Sequence, residues 1–282
     1  PDLPAESFIV APMGRGTAPA IGLGAAHIQR RDPEATMVVL TADHYIRRVE
    51  RFRNLLLAAN QVARKGHLVT LGIEPDFPST GYGYIKQGEE LSAVDSFPTF
   101  RVERFTEKPD AETAEEMVAS GRYAWNSGMF IWRVERIMAE FARQMPDFSE
   151  QLQQIEAALG TAEVEAILAQ VWPQVTKETI DYGVMEGAED VVVLPADIGW
   201  SDVGSWSSMQ DIVDADEQGN VVVGQHLGVD TQDTIVYGGD RLIATIGLEG
   251  MVVVETDDAV LVCPKEREQD VREIVRRLRE QG

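Results

Sequence analysis

Alternation of period is the feature that most constrains this chain. Short apolar runs suited to buried strands are separated by stretches whose apolar residues recur at helical spacing. Phe8-Ile9-Val10 is short, apolar and β-rich. From Thr17 onward the apolar residues Ala18, Ile21, Ala25 and Ile28 share one helical face; Thr17 suits the N-cap and Pro19 the first turn. Met37-Val38-Val39-Leu40 then has the uniform apolarity of a buried parallel strand. A second helix would turn Ile46, Val49, Phe52, Leu56, Ala59 and Ala63 inward and stop at Gly66, after which Leu68-Val69-Thr70-Leu71 resumes as a strand. The order β-α-β-α-β is that of an open α/β sheet with helices on its faces.

The middle of the chain is richer in turns, with glycines in Pro78 to Tyr84 where the backbone turns sharply or lets a ligand approach. Phe100 to Phe105 alternates as a strand, helices are expected over about 111–120, 134–144 and 148–170, and Val191-Val192-Val193-Leu194 reads as another buried strand. Beyond roughly Gln218 the pattern changes to short β-rich pieces separated by Gly and Asp turns. These are Val221–Val223, Thr234–Tyr237, Leu242–Ala244, Met251–Val254 and Val260–Val262. They predict a small β-solenoid-like appendage, closed by a helix over about 266–280 with Val271, Ile274, Val275 and Leu278 on one face. The 282 residues thus divide at 217/218 into one main domain and one small one.

Composition excludes several classes. With 25 Lys and Arg against 47 Asp and Glu the net charge is −22, which repels nucleic acid and anionic membranes at long range. No run reaches the roughly 20 apolar residues of a membrane-spanning helix. The single Cys263 allows no intramolecular disulfide and no zinc cluster, and it points to a reducing, cytoplasmic setting.

In open α/β sheets, ligands bind beyond the carboxyl ends of the strands. Two apolar strands end in related words, Leu40-Thr41-Ala42-Asp43-His44 and Leu194-Pro195-Ala196-Asp197-Ile198. An Asp at such a place can hold a hard cation such as Mg²⁺, although capping the next turn is the commoner use. The second word runs on into Gly199-Trp200-Ser201-Asp202-Val203-Gly204-Ser205-Trp206, so either Asp197 or Asp202 could stand opposite Asp43. Glu107-Lys108-Pro109 sets an ammonium beside a carboxylate, chemistry that suits phosphate and sugar hydroxyls but is commonplace in exposed turns. Asn126 sits in the aromatic, apolar segment Trp125 to Phe130, where its amide needs either backbone or ligand partners.

Together these words resemble the mannose-1-phosphate guanylyltransferases. The matching segments, in order, are Gly14 to Ile21, Thr41 to His44, Thr80 to Ile85, Phe105 to Pro109, Trp125 to Phe130, Ile180-Asp181-Tyr182 and Gly199 to Trp206. The resemblance implies a Rossmann-like, glycosyltransferase A-like nucleotidyltransferase sheet with helices on both faces. It implies transfer of GMP from GTP to mannose 1-phosphate, giving GDP-mannose and pyrophosphate. By the same resemblance Asp43 and Asp202, in preference to Asp197, would hold Mg²⁺, and Lys108 would neutralise the sugar phosphate. Glu107, Asn126 and the backbone at Gly83 would hold mannose hydroxyls, with Arg15 and Thr17 on the guanine side.

Two departures stand out: Gly16 where the family commonly has Asn, which should loosen the turn, and Thr41 where Pro is common. The family's first strand and its glycine-rich, Arg-bearing triphosphate loop have no counterpart after Pro1, so Pro1 is expected to be a cut within a short-form enzyme. A noncatalytic sugar-phosphate-binding relative and a nucleotidyltransferase of other specificity are the alternatives. The sequence does not fix the oligomeric state; a homodimer is carried as an expectation.

Overall fold

A computed structural model of the chain describes residues 3–281, so Pro1, where the sequence reading places a cut, lies outside the described residues. Contacts divide the chain into two compact units, Pro1–Thr41 with Val49–Asp197, and Ala42–Arg48 with Ile198–Gly282.

The first unit opens with α1 (Thr17–Arg31) and β1 (Thr36–Val39); β2 (Tyr45–Ile46) belongs to the second unit. There follow α2 (Val49–Ala63), β3 (Leu68–Ile73), β4 (Tyr84–Val94), β5 (Phe97–Thr106), α3 (Ala111–Ser120) and β6 (Tyr123–Arg133). The unit ends with α4 (Val134–Gln144), α5 (Pro146–Ala158), α6 (Val164–Val171), α7 (Ile180–Gly183) and β7 (Val191–Pro195). The strands form one six-stranded sheet in the order β1-β6-β3-β7-β5-β4. Strand β3 is buried throughout and lies parallel to β7 and antiparallel to β6, so its run of apolar residues is covered on both faces. Phe130 and Trp132 of β6 share a core with α1, α4, α5 and α6, while the alternate residues Met129 and Ile131 are equally buried and α2 packs against β3, β6 and β7. This two-sided burial is the expected sheet with helices on both faces.

Four local expectations fail for physical reasons. Phe8, Ile9 and Val10 form no strand and are 62%, 43% and 78% exposed, because apolarity alone does not make a strand without a ladder partner. Met37 to Val39 form an edge strand antiparallel to β6, not a buried parallel one, and Val38 and Leu40 stay exposed. The buried face of α2 is Leu55, Ala58, Ala59, Val62 and Ala63, rotated from the predicted stripe because Ile46 belongs to β2 and the helix starts only at Val49. The expected helix over 148–170 breaks into α5 and α6 around Gly160, whose φ of 75° no right-handed helix accommodates.

The second unit contains β2, β8 (Trp200–Ser201), α8 (Met209–Ile212), β9 (Val221–Val223), β10 (His226–Val229), β11 (Ile235–Tyr237) and β12 (Ile243–Ile246). It closes with β13 (Met251–Glu255), β14 (Val260–Pro264) and α9 (Val271–Gln281). Strands β9, β11 and β13 stack in parallel with Val221, Ile235 and Val252 in register, and β10 pairs in parallel with β12. That stacking of parallel rungs is the predicted solenoid, and its interior is formed by Val221, Ile235, Val252 and Val254. The terminal helix does not close it: Ile274, Val275 and Leu278 remain exposed, and α9 packs chiefly on the 3-10 turn before it. Among the described residues no helix is long and apolar enough to cross a membrane.

One charged group lies inside the first unit. The Glu140 side chain is 2% exposed in α4 and accepts from Arg136 Nη1, from Arg143 Nη2 at 2.7 Å and from Gln144 Nε2 at 2.6 Å. Burial opposes its ionisation, but these three donors outweigh burial and hold the carboxyl below the usual glutamate range. A depressed folded-state pKa means stability that is present above the unfolded value of 4.5 and is lost as pH falls through the folded value. Denaturant unfolding of Glu140→Gln against wild type should therefore show a deficit of about 2 kcal/mol at pH 7, discounted from the fully buried case because both arginines reach solvent. The gap should shrink steadily once the pH drops below 4.5.

Candidate active site

In the first unit a polar cluster forms where β4 begins, where β5 ends and in the first half of β6. A Cβ at Gly83 would stand 2.5 Å from Glu107 Oε2, so only glycine lets that carboxylate sit against the backbone. The carbonyl of Gly83 accepts from the Asn126 backbone N–H at 2.8 Å. The Asn126 amide donates to Asp181 Oδ1 at 2.7 Å, and its own oxygen accepts from Gly128 N at 3.2 Å. Glu107 pairs with Lys108 Nζ at 2.9 Å; the lysine is 64% exposed, so the pair adds little stability and leaves the ammonium open to an anion. The hydrogen bond and charge of Glu107 raise the Lys108 pKa, which keeps the group cationic. Burial raises the Asp181 pKa, with the Glu107 charge adding to it against the Asn126 hydrogen bond. Glu186 is raised likewise, by burial and then by the charges of Glu107 and Asp181. Gly83, Glu107, Lys108 and Asn126, picked out in separate parts of the sequence, thus stand together.

Asp181 and Glu186 complete this cluster and were not among the nominated site residues. The word Ile180-Asp181-Tyr182 was visible in the sequence, but only the approach of α7 to β6 gives its carboxylate a partner. For Glu186 no sequence signal existed.

Arg15 and Thr17 lie in a turn clamped by the segment before α7. The Arg15 guanidinium donates to the Pro173 carbonyl through Nη2, and Thr17 Oγ1 accepts from Ile180 N at 2.8 Å. Thr17 is therefore the first residue of α1 and not its N-cap, which is Gly16. The Glu178 carbonyl accepts from Ala18 N at 3.2 Å, and Glu178 N donates to the Arg15 carbonyl at 3.0 Å. Gly16 has φ 87° and ψ −179°, a region open essentially to glycine alone, and any Cβ there would run into the Glu178 carbonyl. The turn is consequently tight, not loosened, and its glycine is a requirement of this packing.

The second unit holds the other nominated residues. Tyr45 pairs with Ser201 and Ile46 with Trp200, and that short antiparallel ladder brings Asp43, His44 and Asp202 to one end. Trp200 Nε1 donates to His44 Nδ1 at 3.0 Å, which fixes the imidazole. Burial lowers the His44 pKa, while the charges of Asp43 and Asp202 both act on it in the opposite direction. Asp202 Oδ1 also accepts from Gly204 N at 3.2 Å. Among the described residues no three His, Cys, Asp or Glu gather into a complete metal cage. Two carboxylates are nevertheless the donor set that Mg²⁺ accepts when substrate phosphate and water supply its other oxygens. Asp197 is exposed and lies at the end of the first unit.

The first unit is a mixed sheet flanked by helices, an α/β fold, and the second bears a parallel β-coil. Residues 4–219 match the family described as Nucleotidyl transferase, and residues 224–278 match the MannoseP isomerase/GMP-like beta-helix domain. The chain belongs to the nucleotidyl transferase family. It is similar to a crystal structure from Thermus thermophilus described as a mannose-1-phosphate geranyltransferase, with a TM-score of 0.87, 37% identity, and coverage of 96% of this chain and 77% of that one. The xanthan biosynthesis protein XanB of Xanthomonas campestris pv. campestris (strain B100) is 42% identical over 98% of this chain and 58% of its own length. A mannose-1-phosphate guanylyltransferase of Escherichia coli (strain K12) is 41% identical over 98% of this chain and 59% of its own. The chain therefore spans a little under three fifths of the curated relatives it matches.

Replacing Gly16 by Ala, or by the Asn common in the family, should lower the unfolding free energy by about 2–3 kcal/mol. Thermal denaturation of both variants checks this, and an unchanged midpoint would contradict the clamped turn.

Proposed function

We propose that this chain is the nucleotidyltransferase part of an enzyme that transfers GMP from GTP to α-D-mannose 1-phosphate, releasing GDP-mannose and pyrophosphate. The observation that carries the reading is the cluster of Gly83, Glu107, Lys108, Asn126 and Asp181, which sets an exposed ammonium at the rim of a nest of carboxylate and amide groups. Such a nest suits a sugar phosphate: carboxylate and amide oxygens accept from hydroxyls while the ammonium meets the phosphate. The similarity to relatives carrying the guanylyltransferase name supports the same choice.

In the reaction an oxygen of the sugar phosphate attacks the α-phosphorus of GTP in line, and the bond to the β-phosphate oxygen breaks as pyrophosphate leaves. Little covalent chemistry falls to the protein, so positioning and charge neutralisation dominate. Lys108 offsets the charge of the attacking phosphate, and Glu107, Asn126 and the Gly83 backbone hold mannose hydroxyls. Arg15 and Thr17 serve the guanine side from the clamped turn. Asp43 and Asp202 hold a divalent cation, Mg²⁺ by preference, whose charge neutralises phosphate oxygens when it is bound. Residues 1–217 carry this chemistry and residues 218–282 form the appended solenoid, a division supported by the family matches at 4–219 and 224–278. GTP as substrate fits a cytoplasmic setting.

Pyrophosphate release by the full-length protein should be fastest with GTP and mannose 1-phosphate, against ATP, UTP and glucose 1-phosphate. Binding of GDP-mannose with no turnover of any pair would replace this reading by that of a noncatalytic relative. Asp202→Asn should cut metal-dependent turnover by at least about 100-fold. Asp197→Asn should leave turnover near wild type, and the reverse pattern would sink the metal assignment.

A further inference from the structure

We propose that Glu140, outside the substrate cluster, is a positioning residue for the sugar-phosphate side of the site: by organising Arg136, Arg143 and Gln144 it fixes the backbone of residues 184–189, and with it the Glu186 carboxylate and the α7 turn that carries Asp181. The inference rests on the proposed sugar-phosphate role of that cluster.

Each of the three donors held by Glu140 reaches in two directions. Gln144 Nε2 also donates to the Val184 carbonyl at 3.0 Å, Arg143 Nη2 to the Gly187 carbonyl at 2.6 Å, and Arg136 Nη2 to the Glu189 carbonyl at 3.0 Å. Three carbonyls within six residues thus find their side-chain partners on one helix, in a segment made of a 3-10 turn (Met185–Gly187) and coil. Such a segment has no strand ladder; Val184 and Met185 anchor it in the core and the Val184 carbonyl also accepts from Gly187 N at 3.2 Å, while the Gly187 and Glu189 carbonyls find their side-chain donors on α4. Glu140 is their one shared acceptor. Without it Arg136 and Arg143, 24% and 50% exposed, regain the rotamer freedom of long side chains and can turn to water.

The fit between α4 and this segment is close. A Cβ at Gly187 would collide with Gln144 Oε1, and one at Gly183 would stand 2.9 Å from Met145 Sδ. Glu186 lies within this stretch and Asp181 in α7 just before it, which packs on the 3-10 turn, and both sense the Glu107 charge. A small shift of residues 184–189 therefore moves the Glu186 carboxylate directly, and that of Asp181 through the adjoining α7. Replacing a buried ion pair with apolar residues often leaves stability unchanged or improved, so geometry is the more specific use of such a network.

Steady-state kinetics of the full-length protein with GTP and mannose 1-phosphate test this in Glu140→Gln and in Arg143→Met, whose half-exposed site protects folding. The KM for mannose 1-phosphate should rise by about tenfold in Glu140→Gln and less in Arg143→Met, with kcat and the KM for GTP within about twofold of wild type. Glu140→Asp, which keeps the charge at shorter reach, should fall between wild type and Glu140→Gln. Hydrogen exchange should show faster exchange at residues 184–189 in both main variants, with β3 amides unchanged. Loss of kcat in proportion to folded protein at constant KM, or unchanged exchange at 184–189, would overturn the proposal. If wild type turns over no sugar phosphate, the proposed reaction falls, and the exchange result alone then decides whether Glu140 fixes this segment.

Discussion

Strand β3 has no solvent face and no free edge, and this confinement governs the first unit. Its backbone pairs with β7 on one side and β6 on the other, so every peptide group must be satisfied within the sheet. The ladder with β6 is interrupted between Thr70 and Gly72, where Phe130 and Asn126 are the successive partners. At that bulge the Leu71 carbonyl is accommodated by the Ser127 hydroxyl at 2.7 Å, and Gly128 takes φ 69°. The irregularity re-aims β6, as bulges beside functional sites do, and presents the Asn126 amide to Asp181. Gly72 allows the strands to close at this point, since a Cβ there would lie 2.7 Å from both Ala124 Cβ and Val193 Cγ2.

Backbone strain gathers beside the proposed chemistry. Most non-glycine residues with positive φ among those described are Asp or Ser in turns, where the left-handed region is tolerated. Lys108 at 43° and the β-branched Val203 at 50° are the exceptions; the first carries the ammonium and the second follows Asp202. Both conformations cost energy that surrounding contacts must offset. Electrostatics adds a second load: Glu107, Asp181 and Glu186 crowd one another in a chain of net charge −22. Under the proposed function, the positive charge that anionic substrates need in such a protein would come from Lys108 and from a metal on Asp43 and Asp202.

Much of the fold was legible because burial leaves a mark on composition. Strands β3 and β7, helices α3 and α4, and the rungs β9, β11 and β13 appear in the sequence as apolar runs or stripes with turn residues at their ends, whereas β10 was not read from it. What failed was information about neighbours. The run Met37 to Leu40 has the same letters whether it lies at the centre or the edge, and Phe8 to Val10 looks like a strand although it has no ladder. Gly16 looked like a lost amide; the Glu178 carbonyl, some 160 positions away, makes it a steric necessity.

The candidate site divides in the same way. By itself the sequence determined the residue types: an ammonium beside a carboxylate at Glu107-Lys108, an amide in an aromatic strand, and acidic residues after two apolar runs. These follow from local chemistry and stand in single words of the chain. Only the tertiary structure decided which of them meet, that Asp181 and Glu186 join Glu107, and that the short ladder of β2 with β8 brings Asp43 and Asp202 to one end. It alone gave Glu140 its place beside the segment that carries Glu186 and adjoins Asp181. The physical reason is that hydrogen bonds and charges act over a few ångströms in space, and a linear pattern records the groups without their distances.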